Sequence, residues 1–213
     1  MGCTLDSENS MSLDVIQKRG QFIGKVNSIL QEFHFASKNV LLKMISSYAT
    51  SFYGSSLWDP YSEDCEKLYR SWNVTVRNTL DVDRTTHRYL IEPLSDGLLH
   101  PKVMLISRLV EFYRSQLESP KFCIRFLMRL TASDLRTKLG RTLCKVATEL
   151  NVEVDQLDGK LVKNALQYST SPDCEAWRIP IAVELLDLRS GRADVIGFSK
   201  EEIDDMLRCV CTS

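Results

Sequence analysis

The stretch 38–80, KNVLLKMISSYATSFYGSSLWDPYSEDCEKLYRSWNVTVRNTL, constrains the fold most, because its apolar residues return every three or four positions on both sides of one turn. Leu41, Met44, Ile45, Tyr48 and Phe52 make one stripe, and Cys65, Leu68, Tyr69, Trp72, Val76 and Leu80 make the other. Both are helix-period patterns. Gly54 is the expected stop of the first helix, since glycine takes a left-handed C-terminal cap without a Cβ penalty. Ser62 is the expected start of the second, with Glu63 and Asp64 well placed in its first turn. Tyr53, Gly54, Leu57 and Trp58 build the turn, and with Trp72 they are the predicted structural residues of one compact unit.

The same period extends in both directions. Ile16, Phe22, Ile23, Val26, Ile29, Leu30 and Phe33 predict a long first helix, weakened by Gly20 and Gly24. Ser37 is a plausible N-cap for the helix after it. Pro101 fits the first turn of a helix with the stripe Val103, Ile106, Leu109, Val110, Tyr113 and Leu117. Ser119-Pro120 starts another, with Cys123, Ile124, Leu127 and Leu130 as its apolar face. Ser133 caps a third, with Leu135, Leu139, Leu143, Val146 and Leu150. Shorter helices are expected near 155–168 and 181–188, and Ser199-Lys200-Glu201-Glu202 has capping-box spacing before a last one. A short helix near 86–91 and a strand stub at 3–5 complete the prediction. The chain reads as an all-α bundle of about nine or ten amphipathic helices. A domain over 1–150 and an acidic helical extension over 151–213 are expected, with 169–172 as the best linker.

At 213 residues, 44% hydrophobic and 26% charged, the chain can bury a core without metal or disulfide staples. No apolar run approaches the roughly 20 residues of a membrane span, so no membrane partner is expected. The start of the chain is polar and acidic, unlike a signal peptide, and the seven cysteines are an odd number. Reduced thiols and a cytoplasmic or nuclear protein are expected. The net charge of −1 hides an asymmetry: residues 1–150 hold 20 basic and 16 acidic side chains, against 7 and 12 in 151–213.

Few constellations suggest chemistry. Asp204-Asp205 is the one adjacent aspartate pair, but it sits in a helix pattern without the strand hairpin of a polymerase metal site, so a solvated face is the better reading. Cys209-Val-Cys211 lacks the partners of a zinc site, and Cys65, Cys123 and Cys144 fall on apolar faces as small hydrophobes. His34, His87 and His100 are scattered, and no nucleophile or phosphate-loop motif occurs. No cofactor, metal or catalytic residue is predicted. The sequon Asn73-Val-Thr75 lies inside a predicted helix. The aromatic residues Tyr48, Phe52, Tyr53, Trp58, Tyr69 and Trp72 suit base stacking, but their helical spacing favours a core. The basic residues Arg108, Arg114, Lys121, Arg125, Arg129, Arg136, Lys138, Arg141 and Lys145 are the most informative polar feature. They read equally well as solvated helix faces or as a phosphate-contacting surface for RNA or DNA.

Two phrases carry a family resemblance: Phe22-Ile-x-x-Val26-Asn27-x-Ile29-Leu30-x-x-Phe33, and Ser51-Phe52-Tyr53-Gly54-Ser55-x-Leu57-Trp58-Asp59. With Trp72, Arg77, Leu80 and Thr86-His87, they resemble the C-terminal part of non-LTR (LINE-type) retrotransposon reverse transcriptases. The ending also resembles that family, through Leu185-Leu186-Asp187-Leu188-Arg189-x-Gly191 and Gly197-Phe198-Ser199-Lys200-Glu201-Glu202. The resemblance spans nearly the whole chain and implies a helical thumb and post-thumb region that holds template and primer. It also implies a polymerase palm upstream as a partner, with Gly2-Cys3-Thr4-Leu5 resembling its last strand. The family's aromatic-x-Asp-Asp motif is not found, so the chain is not expected to be an enzyme by itself. The alternative is a non-enzymatic helical interaction module of transposon origin. Val82-Asp83 stands where relatives usually have Leu-Pro, and the zinc-knuckle cysteines of some relatives are not found.

Overall fold

The computed structural model describes residues 11–86, 90–91, 94–95, 98–167, 181–183, 185–186 and 200–212. Among them the fold is all-α, with no strand. The helices are α1 (Ser12–Glu32), α2 (Lys38–Met44), α3 (Glu63–Leu80), α4 (Pro101–Leu117), α5 (Phe122–Ser133), α6 (Lys138–Leu150), α7 (Gly159–Gln167) and α8 (Lys200–Thr212). The expected strand stub at 3–5, His87, the linker at 169–172 and the Ser199 cap lie outside the described residues, as do residues 87–89 of the expected 86–91 helix.

Two compact units interleave along the chain. The first comprises Met1–Phe22, Thr50–Arg70 and Leu99–Ser169; the second comprises Ile23–Ala49, Ser71–Leu98 and Thr170–Ser213. This partition differs from the expected boundary after residue 150. Leu157 and Val162 share one buried cluster with Ile106, Val110, Leu143 and Val146, so the change at 150 is one of charge and not of packing. Trp58 and Trp72 also fall in different units, where one was expected.

In the first unit, α4 packs against α5, α7 and the 3-10 turn Ser55–Leu57. Its start follows the sequence signal: Pro101 occupies the first turn, and His100 Nδ1 accepts the Lys102 N–H at 3.1 Å. The α3 start also holds, since Ser62 Oγ accepts from Cys65 N. The next two starts differ from expectation. Lys121 rather than Ser119 precedes α5, and Thr137 rather than Ser133 caps α6, its hydroxyl accepting from Gly140 N at 3.0 Å. Asp134 explains the shift: its carboxylate accepts the Arg136 N–H, making a tight turn that a continuous helix would lack.

In the second unit, Val26 and Ile29 of α1, Leu41 and Leu42 of α2, and Trp72, Val76 and Leu80 of α3 are buried, with Ile203 and Leu207 of α8. Lys38 Nζ donates to Leu80 O at 2.7 Å, covering an orphan carbonyl at the end of α3. Ser37 precedes α2 as expected, but its side chain makes no cap bond. α2 ends at Met44 and continues as the π-helical turn Ile45–Ala49, so Gly54 does not close it. Gly54 is left-handed all the same, at φ 82°, where it opens the turn Ser55–Leu57.

Candidate nucleic-acid interface

The corner at 52–58 is a scaffold in part. Phe22, Phe52, Trp58 and Tyr69 are buried; the Phe22–Phe52 and Phe52–Trp58 rings meet at tilted angles of 49° and 51°. Tyr69 donates its hydroxyl to Pro60 O at 2.7 Å, and burial pushes its pKa well up. Trp72 is buried as expected. Tyr53 and Leu57 are exposed, contrary to the packing expected of them, and so is Tyr48. Tyr53 instead lines an open groove of about 490 Å³ with Gly54, Arg108, Glu111, Phe112 and Ser115.

The nine basic candidates divide into groups once their partners are placed. Arg108 donates through one guanidinium nitrogen to Phe52 O at 2.8 Å and to Ser55 Oγ at 3.2 Å, so it ties the corner to α4. Arg114 donates to the carbonyls of Asp155 and Leu157 at 3.2 and 3.3 Å and holds the segment before α7. Arg125 is half-buried and donates to Ser119 O at 3.0 Å. Arg136 grips Asp134 with two donors, a bond that holds the Asp134 carboxyl below the usual range. Lys145 lies 5.1 Å from the Tyr61 ring centroid, with Lys102 at 5.0 Å from the same ring. Burial, and then the nearby Glu149 carboxylate, raise the pKa of Tyr61.

Lys121, Arg129, Lys138 and Arg141 remain. All four are exposed, and among the described residues their side chains take no hydrogen bond or ion pair. Cationic groups without a structural partner are the ones available to neutralise phosphate. Of the three one-turn pairs that the sequence offers, Arg125–Arg129, Lys138–Arg141 and Arg141–Lys145, only Lys138–Arg141 is made of two such residues.

α5 supplies what periodicity missed. Of the expected apolar face Cys123, Ile124, Leu127 and Leu130, Ile124 is half-buried and the other three are exposed, and Phe122 and Phe126 are 68% and 55% accessible. Of the whole helix only Ala132 is buried. The sequence FCIRFLMRLTAS is apolar on nearly every side, so its period does not choose an inward face. Cys144 and Leu135 are likewise exposed, whereas Cys65 is buried as expected.

Asp205 pairs with Arg208 at 3.3 Å, and Asp204 lines a small pocket with Asp81, Asp83 and Arg208. No metal-binding group of His, Cys, Asp or Glu occurs among the described residues, and no helix there is long and apolar enough to cross a membrane. Compared with protein-family models, curated proteins and solved structures, the chain matches none of them.

Proposed function

We propose that the chain is the thumb and C-terminal region of a LINE-type reverse transcriptase, without polymerase chemistry of its own, and that it binds RNA or DNA through α5 and α6. One observation carries the binding claim: Lys121, just before α5, Arg129 on it, and Lys138 and Arg141 on α6 are exposed and uncommitted. Such contacts release counterions, so affinity falls as salt rises. A filter-binding titration at several salt concentrations tests this. Dissociation constants of about 10⁻⁴–10⁻⁶ M that weaken with salt are expected. Binding unchanged by salt, or none at low salt, counts against it.

A second reading, a non-enzymatic helical interaction module of transposon origin, is favoured by the exposed apolar residues of α5. It predicts no nucleic-acid affinity.

A further inference from the structure

We propose that the outward face of α5 is a stacking platform for single-stranded nucleic acid: bases lie on the Phe122–Phe126 ring pair while Lys121 and Arg129 neutralise the neighbouring phosphates. The proposal rests on the phosphate-binding reading and names the form of nucleic acid bound.

Three observations carry it. The two rings are near-parallel, 19° apart with centroids at 6.0 Å, and both are exposed. The buried pairs of the same unit are tilted instead, at 49° and 51°. Near-parallel exposed rings present flat apolar faces, and every base has a matching π-face. Next, Phe122–Ser133 contains no acidic residue, while Lys121, Arg125 and Arg129 follow at four-residue spacing, one stripe of the helix. The apolar face is thus flanked by positive charge along one edge. Finally, Leu127 and Leu130 extend that face without polar interruption, which suits unstacked bases and sugars.

Charge decides among occupants. A second copy laid on this face would set the acid-free basic segment 121–133 against another of the same sign, which disfavours pairing. A duplex offers phosphates but hides its base faces, so the rings would gain nothing from it. A single strand satisfies both features.

Fluorescence anisotropy of fluorescein-labelled oligo-dT of about 20 nucleotides, against a duplex of the same length, tests the proposal. Phe122→Ala with Phe126→Ala should weaken oligo-dT binding by about 5- to 150-fold for each base that loses its ring, and leave duplex binding unchanged. Phe122→Tyr with Phe126→Tyr should restore it, because the ring face survives. Equal oligo-dT affinity in the double alanine variant overturns stacking and leaves the phosphate reading standing. No binding of either probe at low salt overturns the phosphate reading itself, and this proposal with it. Self-association in sedimentation that the alanine variant abolishes, with oligo-dT affinity unaltered, assigns the face to protein contact and also overturns it. Both rings are solvent-exposed, so the variants keep the fold, which circular dichroism checks.

Discussion

The indole Nε1 of Trp58 donates to Asp14 Oδ2 at 2.8 Å, and both residues are buried, 44 positions apart in the chain. The bond ties the first turn of α1 to the corner after Gly54 and satisfies a carboxylate held away from water. Trp58→Ala should cost about 3–5 kcal/mol in urea unfolding, through lost volume and the stranded Asp14. Trp58→Phe keeps much of the volume but removes the donor, and should cost about 1–3 kcal/mol. A loss below about 1 kcal/mol for alanine would put the corner outside the core.

Gly140 and Gly20 should respond to alanine with opposite sign. A Cβ on Gly140 would lie 2.4 Å from Asp134 O and 2.9 Å from Thr131 O, backbone atoms that cannot rotate away. Gly140→Ala should therefore destabilise by about 1–3 kcal/mol. A Cβ on Gly20 meets nothing within 4 Å, so Gly20→Ala should stabilise α1 by up to about 1 kcal/mol. Paired urea midpoints measure both.

The thiols should separate by burial. Burial pushes the Cys65 pKa up to about 11, whereas Cys123, Cys144 and Cys209 are exposed. Peptide mapping after mild iodoacetamide treatment of the native protein should find Cys123 and Cys144 alkylated and Cys65 unmodified. Cys65 should react only once the protein is unfolded. Labelling of Cys65 at the rate of Cys123 would contradict its placement.

Acid should weaken the protein partly through Asp64. The Ser12 hydroxyl bonded to its carboxylate, and secondarily Lys67, hold the Asp64 pKa below the usual range. A carboxylate with a depressed folded pKa stabilises fully above its unfolded value of about 3.9, and that contribution is lost as pH falls through the folded value. Ser12→Ala should raise the Asp64 pKa toward the ordinary value and lower stability at neutral pH more than in strong acid. NMR titration of Asp64 and urea midpoints at the two pH values read it. An unmoved titration would show that Ser12 does not set it.

Much of the helical architecture was legible because it rests on local rules. Pro101 and Ser62 mark helix starts, and strongly one-sided stripes such as Leu143 and Val146 mark buried faces. The partition into units was not legible, since it depends on contacts such as Leu157 with the α4 and α6 core, far apart in sequence. Nor was the fate of α5, whose residues are apolar on nearly every side. The basic residues could be counted but not sorted. Only backbone carbonyls brought from elsewhere, Phe52 O for Arg108 and Leu157 O for Arg114, distinguish a structural arginine from an available one.

That sorting is the central claim, and one comparison tests it directly: affinity for RNA or DNA against salt, alongside urea stability, for two sets of alanine variants. Lys121, Arg129, Lys138 and Arg141→Ala should leave stability within about 0.5 kcal/mol per site. They should also flatten the plot of log affinity against log salt by about 0.7–0.9 for each phosphate contact removed. Arg108→Ala with Arg114→Ala should do the reverse, costing about 1.5–3 kcal/mol per charged hydrogen bond lost while keeping the salt slope. A salt slope that falls with the second set and not with the first would contradict the account.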